Sequence, residues 1–559
     1  MIFFHYRQIV RLHPLYVPNS LIAKEGKMKT AQVSNGRPRL SVAIIARNEQ
    51  KVIAETLESI RAIADEIIVW DSGSEDETIA LAQKKGAKVF QGFWKNDFSA
   101  ARNACLAKVT GDWALWLDAG EKLDDLAAVK LREFIDSSAN PQKVYTLTVE
   151  IPPADQYTAG EQIAQPRLLP VQAGLKFEGR VRETLYPSIQ AAGMEIDVAP
   201  GSILRHPRQH AQARKTQLAN RDLGLLELEL ELIDKKKPVP RIFLAQGEAY
   251  VNLGSYDSAR EAFIRAIELS DPGSTEMLEG YYGLLTGYNH DPNLRDAQMR
   301  VCLNALEVYP LDAQLLLAIG SYFQMHNRLD LAERAFDTTV KFGRINSAIW
   351  HLCELPEVAA SCLTMVLQLQ GKDEDARRTL EEALNRNPQS ARLLRLAIDL
   401  YIKNGKAEEA IEMAKRSGAI SGMEDPLILA IRGACKAAKQ KWTPALAYLQ
   451  SAYLMGCHST LCLRWMAVTL LANGQAESAK PILAEWQKKE PTNPELLAYI
   501  AAVRDTTNTF SVEEEEDAGD LNTEIRQYRV DSVNTILDGN PIKIPIIHQV
   551  TSSETLVSE

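Results

Sequence analysis

Three polar clusters each follow an apolar run, and their residue types are those that handle phosphate, sugar hydroxyls and cations. The run at 40–46 (LSVAIIA) ends in Arg47-Asn48-Glu49, the run at 66–70 (EIIVW) ends in Asp71-Ser72-Gly73-Ser74-Glu75-Asp76, and Trp113 to Leu117 ends in Asp118-Ala119-Gly120-Glu121. A continuous apolar run is the pattern of a strand buried on both faces. A carboxylate at the carboxyl end of a parallel strand sits in the crevice where open α/β sheets bind ligands. Ser and Gly permit a tight turn after Asp71, and Glu77-Thr78 opens a helix whose N-terminal amides favour an anion. A plainer reading is that Ser74 and Asp76 only cap that helix. Acidic groups at the end of a buried strand are costly unless they meet a cation or a polar ligand. Three such clusters after three parallel strands should converge on one edge of one sheet.

The elements that must position them are legible as periodicity. Val52, Ile53, Leu57, Ile60 and Ile63 predict a helix over 51–64. A short helix is expected over 77–85, a third strand over 87–90, a helix over 98–108 ahead of the strand at 113–117, and a further strand over 143–149. Strands alternating with helices predict a parallel α/β sheet.

From about residue 215 no strand pattern survives, and helical segments repeat. Residues 243–269 (FLAQGEAYVNLGSYDSAREAFIRAIEL) place Gly247, Ala259 and Ala266 among Tyr250, Tyr256 and Phe263, and resemble a tetratricopeptide repeat. Small residues let the two helices of such a hairpin approach, and the aromatics fill the space between them. The frame recurs at Gly320 and Phe336, at Ala376 and Ala410, and at Ala445 and Ala479, the last two pairs each 34 residues apart. Six or seven repeats are expected between 241 and 505. Trp94, Phe98 and Trp113 read either as a sugar platform or, more simply, as core or lid residues.

Composition narrows the class. The chain has 559 residues, 46% hydrophobic and 24% charged, which excludes a wholly disordered or multispanning membrane protein. A formal net charge of −10 is a poor match for nucleic acid or an anionic membrane surface. Seven scattered cysteines without a CxxC pair argue for a reducing, cytoplasmic setting rather than a disulfide framework. No run of about 18 apolar residues suggests a spanning helix. The segment 1–38 holds six Lys/Arg against one Glu and reads as a mobile lead-in, with residues 1–27 unlike a signal peptide and Met28 a plausible alternative start. The segment from 506 holds eleven acidic against three basic residues and reads as a largely disordered tail, in which PIKIPII at 541–547 is a weak strand candidate. The expected division is 1–38 lead-in, 39–212 catalytic domain, 213–240 helical linker, 241–505 repeats and 506–559 tail.

Taken together, LSVAIIARNE, DEIIVWDSGSEDET and FWKNDFSAARNACLAKVTGDWALWLDAGE resemble a family 2 glycosyltransferase of the nucleotide-diphospho-sugar (GT-A) fold, in the subgroup followed by tetratricopeptide repeats. The resemblance implies a hexosyltransferase that uses a nucleotide-sugar donor. It implies that Asn48 and Glu49 lie beside the nucleotide, that Asp71 hydrogen-bonds the nucleobase, and that Ser74 and Asp76 line the same pocket. Arg102 and Asn103 would face the nucleotide from their helix, and Asp118 matches the first acid of the Asp-x-Asp signature.

Two positions depart from that pattern. Gly120 stands where the second acid belongs, so a Mn²⁺ or Mg²⁺ ion would depend on Asp118, with Glu121 and His206 as further ligands. An acid restored at 120 should then tighten cation binding. Relatives place His before the downstream Glu, where this chain reads Val181-Arg182-Glu183. Glu183 is the candidate general base of an inverting transfer or, more plainly, a surface or salt-bridged glutamate, and Arg182 is a candidate for the diphosphate. The acceptor expected is a protein, a glycan or a lipid-linked sugar, recruited by the repeats, which also suit a protein partner. The competing reading is a degenerate transferase domain kept as an interaction scaffold.

Overall fold

The computed structural model describes residues 37–152, 160–205, 212–233, 239–422, 424–491 and 493–508. The expected strand at 541–547, nearly all of the lead-in and the tail beyond 508 lie outside the described residues.

The N-terminal half is built on one mixed sheet. Its strands are β1 (Leu40–Ala46), β2 (Glu66–Asp71), β3 (Lys88–Gln91), β4 (Trp113–Asp118), β5 (Glu121–Leu123), β6 (Lys143–Ile151), β7 (Glu161–Pro170) and β8 (Glu195–Arg205). They lie in the order β3-β2-β1-β4-β7-β6-β8-β5. The first four are parallel, and β1 is central among them because it is apolar on both faces: Leu40, Val42 and Ile44 are fully buried on one side, and Ala43 on the other. Each such Leu, Ile or Val contributes about 1.5–3 kcal/mol by leaving water. Helices α1 (Ile53–Ile60), α2 (Thr78–Lys84), α3 (Phe98–Leu106) and α4 (Asp125–Ser137) cover the sheet, and α5 (Tyr186–Ala191) precedes β8. Register then fixes the site: Ala46 pairs with Asp71, and Ile45 with Asp118, so the expected clusters meet at one sheet edge.

The sheet is not wholly parallel, which corrects one expectation. β7 runs antiparallel to β4 and to β6, and β5 antiparallel to β8. These strands escape the apolar-run pattern for a physical reason. Pro166 and Arg167 interrupt β7, Pro200 and Gly201 interrupt β8, and the ladders shift register between Tyr145 and Thr146 and between Thr146 and Thr148. Proline removes a ladder donor, so such strands tolerate it only at irregularities or edges.

After α6 (Gln212–Leu232) come antiparallel helical hairpins, beginning α7 (Pro240–Leu253) with α8 (Tyr256–Leu269) and α9 (Thr275–Tyr288) with α10 (Arg295–Val308). They continue through α11 (Ala313–Met325), α12 (Leu329–Phe342) and α13 (Leu355–Leu369) to the helix Pro494–Asn508. The small-residue frame is where the helices touch. A Cβ added at Gly247 would lie 2.5 Å from Phe263, one at Gly320 would lie 2.6 Å from Phe336, and Ala259, Ala266, Ala376 and Ala445 are fully buried.

One segment of the helical region carries a strand the periodicity hides. Between α12 and α13, β9 (His351–Leu352) pairs antiparallel with the start of β7. Ala164 N donates to Ser347 O at 2.7 Å, and Cys353 N to Gly160 O at 2.8 Å. Two residues are too few to show alternation. Among the described residues no helix is long and apolar enough to cross a membrane.

Candidate active site

The first wall of the crevice is a set of interlocked turns. Asp71 is fully buried, and its Oδ1 accepts from Gly73 N at 2.9 Å and Ser74 N at 2.8 Å, while its Oδ2 accepts from Ser74 Oγ at 2.5 Å. Asn48 adopts the left-handed conformation at φ 57°, which Asn tolerates better than most residues. Its N–H donates to Ser74 Oγ and its Oδ1 accepts from Glu75 N, both at 2.8 Å. Glu49 N donates to Thr78 Oγ1 at 2.7 Å, and Asp76 accepts from Thr78 N at 3.0 Å and Gln50 N at 3.3 Å. Asp76 thus serves the start of α2 through Thr78 N, whereas the Ser74 hydroxyl joins Asn48 to Asp71, and both Asp71 oxygens serve the turn itself.

The second wall is a buried network of carboxylates and guanidiniums. Arg102 on α3 donates from Nη2 to Asp118 Oδ1 at 2.7 Å and from Nε to Glu183 Oε1 at 2.5 Å. Glu121 is almost wholly buried. Its Oε1 accepts from Arg167 Nη2 at 2.9 Å and Arg205 Nε at 3.0 Å, and its Oε2 from Arg167 Nη1 and Asp118 N, each at 2.8 Å. Arg205 Nη2 also reaches Asp118 Oδ2 at 3.1 Å. The guanidiniums of Arg167 and Arg102 lie over the Trp116 ring, 3.6 and 4.3 Å from its centroid, and the indole N–H donates to Pro166 O at 2.7 Å. Burial alone would disfavour ionised Asp118, but Arg102, Arg167 and Arg205 hold it well below the usual carboxylate range.

Three expected roles meet different surroundings. Glu121, expected beside a cation, has both oxygens committed to arginines and to main-chain N–H, so we assign it the orientation of Asp118. Asn103 spends its side chain on Phe177, donating to its O at 2.9 Å and accepting from its N at 2.8 Å, which pins the segment carrying Glu183 to α3. Arg182 turns to the repeats: it pairs with Glu279 on α9 and lies 3.4 Å from Glu248 on α7. It adopts φ 52°, and despite burial those glutamates push its pKa up.

Of the aromatic candidates, Trp113 is core, packed on Tyr145. Trp94 and Phe98 pack edge to face with each other, against the buried cluster that holds Val181 and Leu225. His206 lies outside the described residues. Arg167 and Arg205 were missed by sequence reasoning. The only signal for them was a charged residue inside each of two segments that turn out to be strands.

Among the described residues, those expected to hold a divalent cation do not fit one. Gly120 has no side-chain oxygen, Glu121 is fully committed, and each Asp118 oxygen already accepts from a guanidinium. Among the described residues no group of three or more His, Cys, Asp or Glu side chains is placed to hold a metal ion.

Comparison with known proteins agrees with this architecture. Residues 41–139 match the family model described as glycosyl transferase family 2, and residues 240–271 and 367–433 match tetratricopeptide repeat models. A tetratricopeptide-repeat-containing protein of Synechococcus elongatus is 44% identical over 98 residues, 18% of this chain and 24% of that protein. The prophage-derived glycosyltransferase SunS of Bacillus subtilis is 30% identical over 149 residues, 26% of this chain and 34% of its own. The chain thus spans about a quarter to a third of the length of these curated relatives. Among solved structures, glucosyl-3-phosphoglycerate synthase of Mycobacterium tuberculosis aligns over 20% of this chain and 43% of its own, at 25% identity and a TM-score of 0.18. Residues 41–139 carry a glycosyltransferase family 2 domain, on a chain that continues into tetratricopeptide repeats.

Proposed function

We propose that the chain is an inverting glycosyltransferase that moves a sugar from a nucleoside-diphosphate donor to an acceptor hydroxyl. The observation that carries this is the pairing of Asp118 and Glu183 through Arg102 at the carboxyl edge of the sheet, beside the turns of Asn48 and Asp71. The nucleoside would lie against those turns, in the crevice at the carboxyl ends of the parallel strands. Glu183 has one oxygen on Arg102, while its Oε2 makes no hydrogen bond among the described residues. That oxygen takes the acceptor proton as the new C1–O bond forms. The old C1–O bond breaks with its electron pair left on the diphosphate, whose charge the neighbouring guanidiniums offset.

The acceptor is a protein, glycan or lipid-linked hydroxyl, brought by the concave side of the stacked hairpins. All seven cysteines are free, in keeping with a cytoplasmic setting. The missing acid at Gly120 favours one other reading, a domain kept only as a scaffold. Proton NMR of the first product from α-linked UDP-, GDP- and dTDP-sugars tests both. A β-anomer is expected; an α-anomer would refute single displacement, and no release from any donor would favour the scaffold.

A further inference from the structure

A donor diphosphate brings two or more negative charges, and at an Asp-x-Asp site a divalent cation ordinarily offsets them. Here the positive charge is built into the protein. Arg102 and Arg205 flank Asp118, one on each carboxylate oxygen, from helix α3 and from the last residue of β8. The β5–β8 register places Arg205 opposite Glu121, which receives both its Nε and its Nη2. Each of the two guanidiniums uses Nε and Nη2 on carboxylates and leaves Nη1 without a hydrogen bond among the described residues. Arg102 is buried, whereas the Arg205 side chain is one-third exposed beside an equally exposed Asp118, where an incoming ligand can reach it. A guanidinium stays charged at any working pH and presents N–H groups in a plane that suits phosphate oxygens.

Resting on the glycosyltransferase reading, we propose that Arg205, with Arg102, holds the donor diphosphate in place of a divalent cation. Donor binding and sugar transfer by this chain are therefore independent of Mn²⁺ and Mg²⁺. On bond cleavage the electron pair remains on the diphosphate, neutralised by the guanidinium N–H groups, while the acceptor proton goes to Glu183.

Calorimetry on the full chain tests this with UDP and with pyrophosphate as probes, in excess EDTA and in saturating Mg²⁺ or Mn²⁺. Each probe should bind with a Kd that agrees within about twofold between the two conditions. Arg205→Met should weaken both probes by about tenfold or more, and Arg205→Lys should recover part of the loss by keeping the charge. The six-line electron paramagnetic resonance signal of free Mn²⁺ should fall no further with protein and UDP than with UDP alone. UDP binding seen only with a cation, or wild-type affinity in Arg205→Met, would overturn this inference and leave the glycosyltransferase reading intact. Binding of neither probe in either condition would likewise overturn this inference, and the glycosyltransferase reading would fall only if no donor of the UDP-, GDP- and dTDP-sugar panel were turned over.

Discussion

Glu183 accepts a hydrogen bond from Arg102 Nε at 2.5 Å, across 81 residues of sequence. Neither residue sits on the same element, and neither would hold this position alone. Arg102 is carried by a helix packed under β1 and β2, and it is pressed on the Trp116 ring. Glu183 lies in a segment that Asn103 ties to the same helix through Phe177. The bridge therefore places a proton acceptor beside Asp118 without relying on a flexible loop. That rigidity is what a base needs if its reach is to be fixed before the acceptor arrives.

Asp71 gives both oxygens to the turn that follows it, so its removal should act on structure first. Asp71→Ala leaves two amides and a hydroxyl near Ser74 without their acceptor, at a cost of about 1–3 kcal/mol. Asp71→Asn keeps an acceptor oxygen for the amides and should cost less. Urea unfolding checks the order, and an Asp71→Ala protein as stable as wild type would contradict it.

Gly120 has φ 97°, and its N–H donates to Thr56 Oγ1 at 2.9 Å. An aspartate there is strained whatever it binds, so Gly120→Asp should destabilise the protein by about 1–3 kcal/mol. It should also fail to create tight Mn²⁺ binding, contrary to what the spacing of the motif alone suggests. Thermal unfolding with and without Mn²⁺ would show a lowered midpoint that the ion does not restore.

Glu66 is a buried carboxylate at the start of β2. Burial opposes its charge, but bonds from Lys88, Ser41 and Thr110 hold its pKa down from 4.5 to about 2. A depressed pKa means the folded protein binds this proton less readily than the unfolded chain. Its stabilising effect is then full above pH 4.5 and is lost as pH falls toward about 2. Glu66→Gln should flatten the acid limb of stability over that interval. An acid limb identical in wild type and variant, measured by urea midpoints at stepped pH, would count against it.

Arg182 couples the segment of Glu183 to the first repeats through Glu279 and Glu248. Arg182→Ala should lower kcat while leaving UDP affinity within about twofold, because it loosens the base rather than the donor pocket. Faster hydrogen exchange over residues 177–185 should accompany it. Loss of UDP affinity instead would return Arg182 to the role of a diphosphate ligand.

Much of this was legible in residue order. Strands β1, β2 and β4 are continuous apolar runs, so their polar ends stand out, and their convergence follows from parallel pairing. The repeats were legible because Gly247 and Gly320 must be small to admit Phe263 and Phe336. The antiparallel half was not, because Pro166 and Pro200 break the pattern that marks a strand. Arg167 and Arg205 were hidden for a related reason. A charged residue in a strand reads as solvent-facing until the partner that neutralises it is known, and Glu121 is 46 and 84 residues away. The direction of Arg182 depended on a contact with helices about 65 to 100 residues downstream, which no local spacing reports.

The central claim is that Glu183 takes the acceptor proton in a working transferase. The most direct measurement is the rate of nucleoside-diphosphate release from a panel of UDP-, GDP- and dTDP-sugars by the full chain and by Glu183→Gln, with UDP affinity measured in parallel. The account predicts turnover of at least one donor by the wild type. It predicts a fall of about a hundredfold or more in the variant, within the range for loss of a general base, and UDP affinity retained. Equal rates in the two proteins, or no turnover of any donor by the wild type, would contradict it.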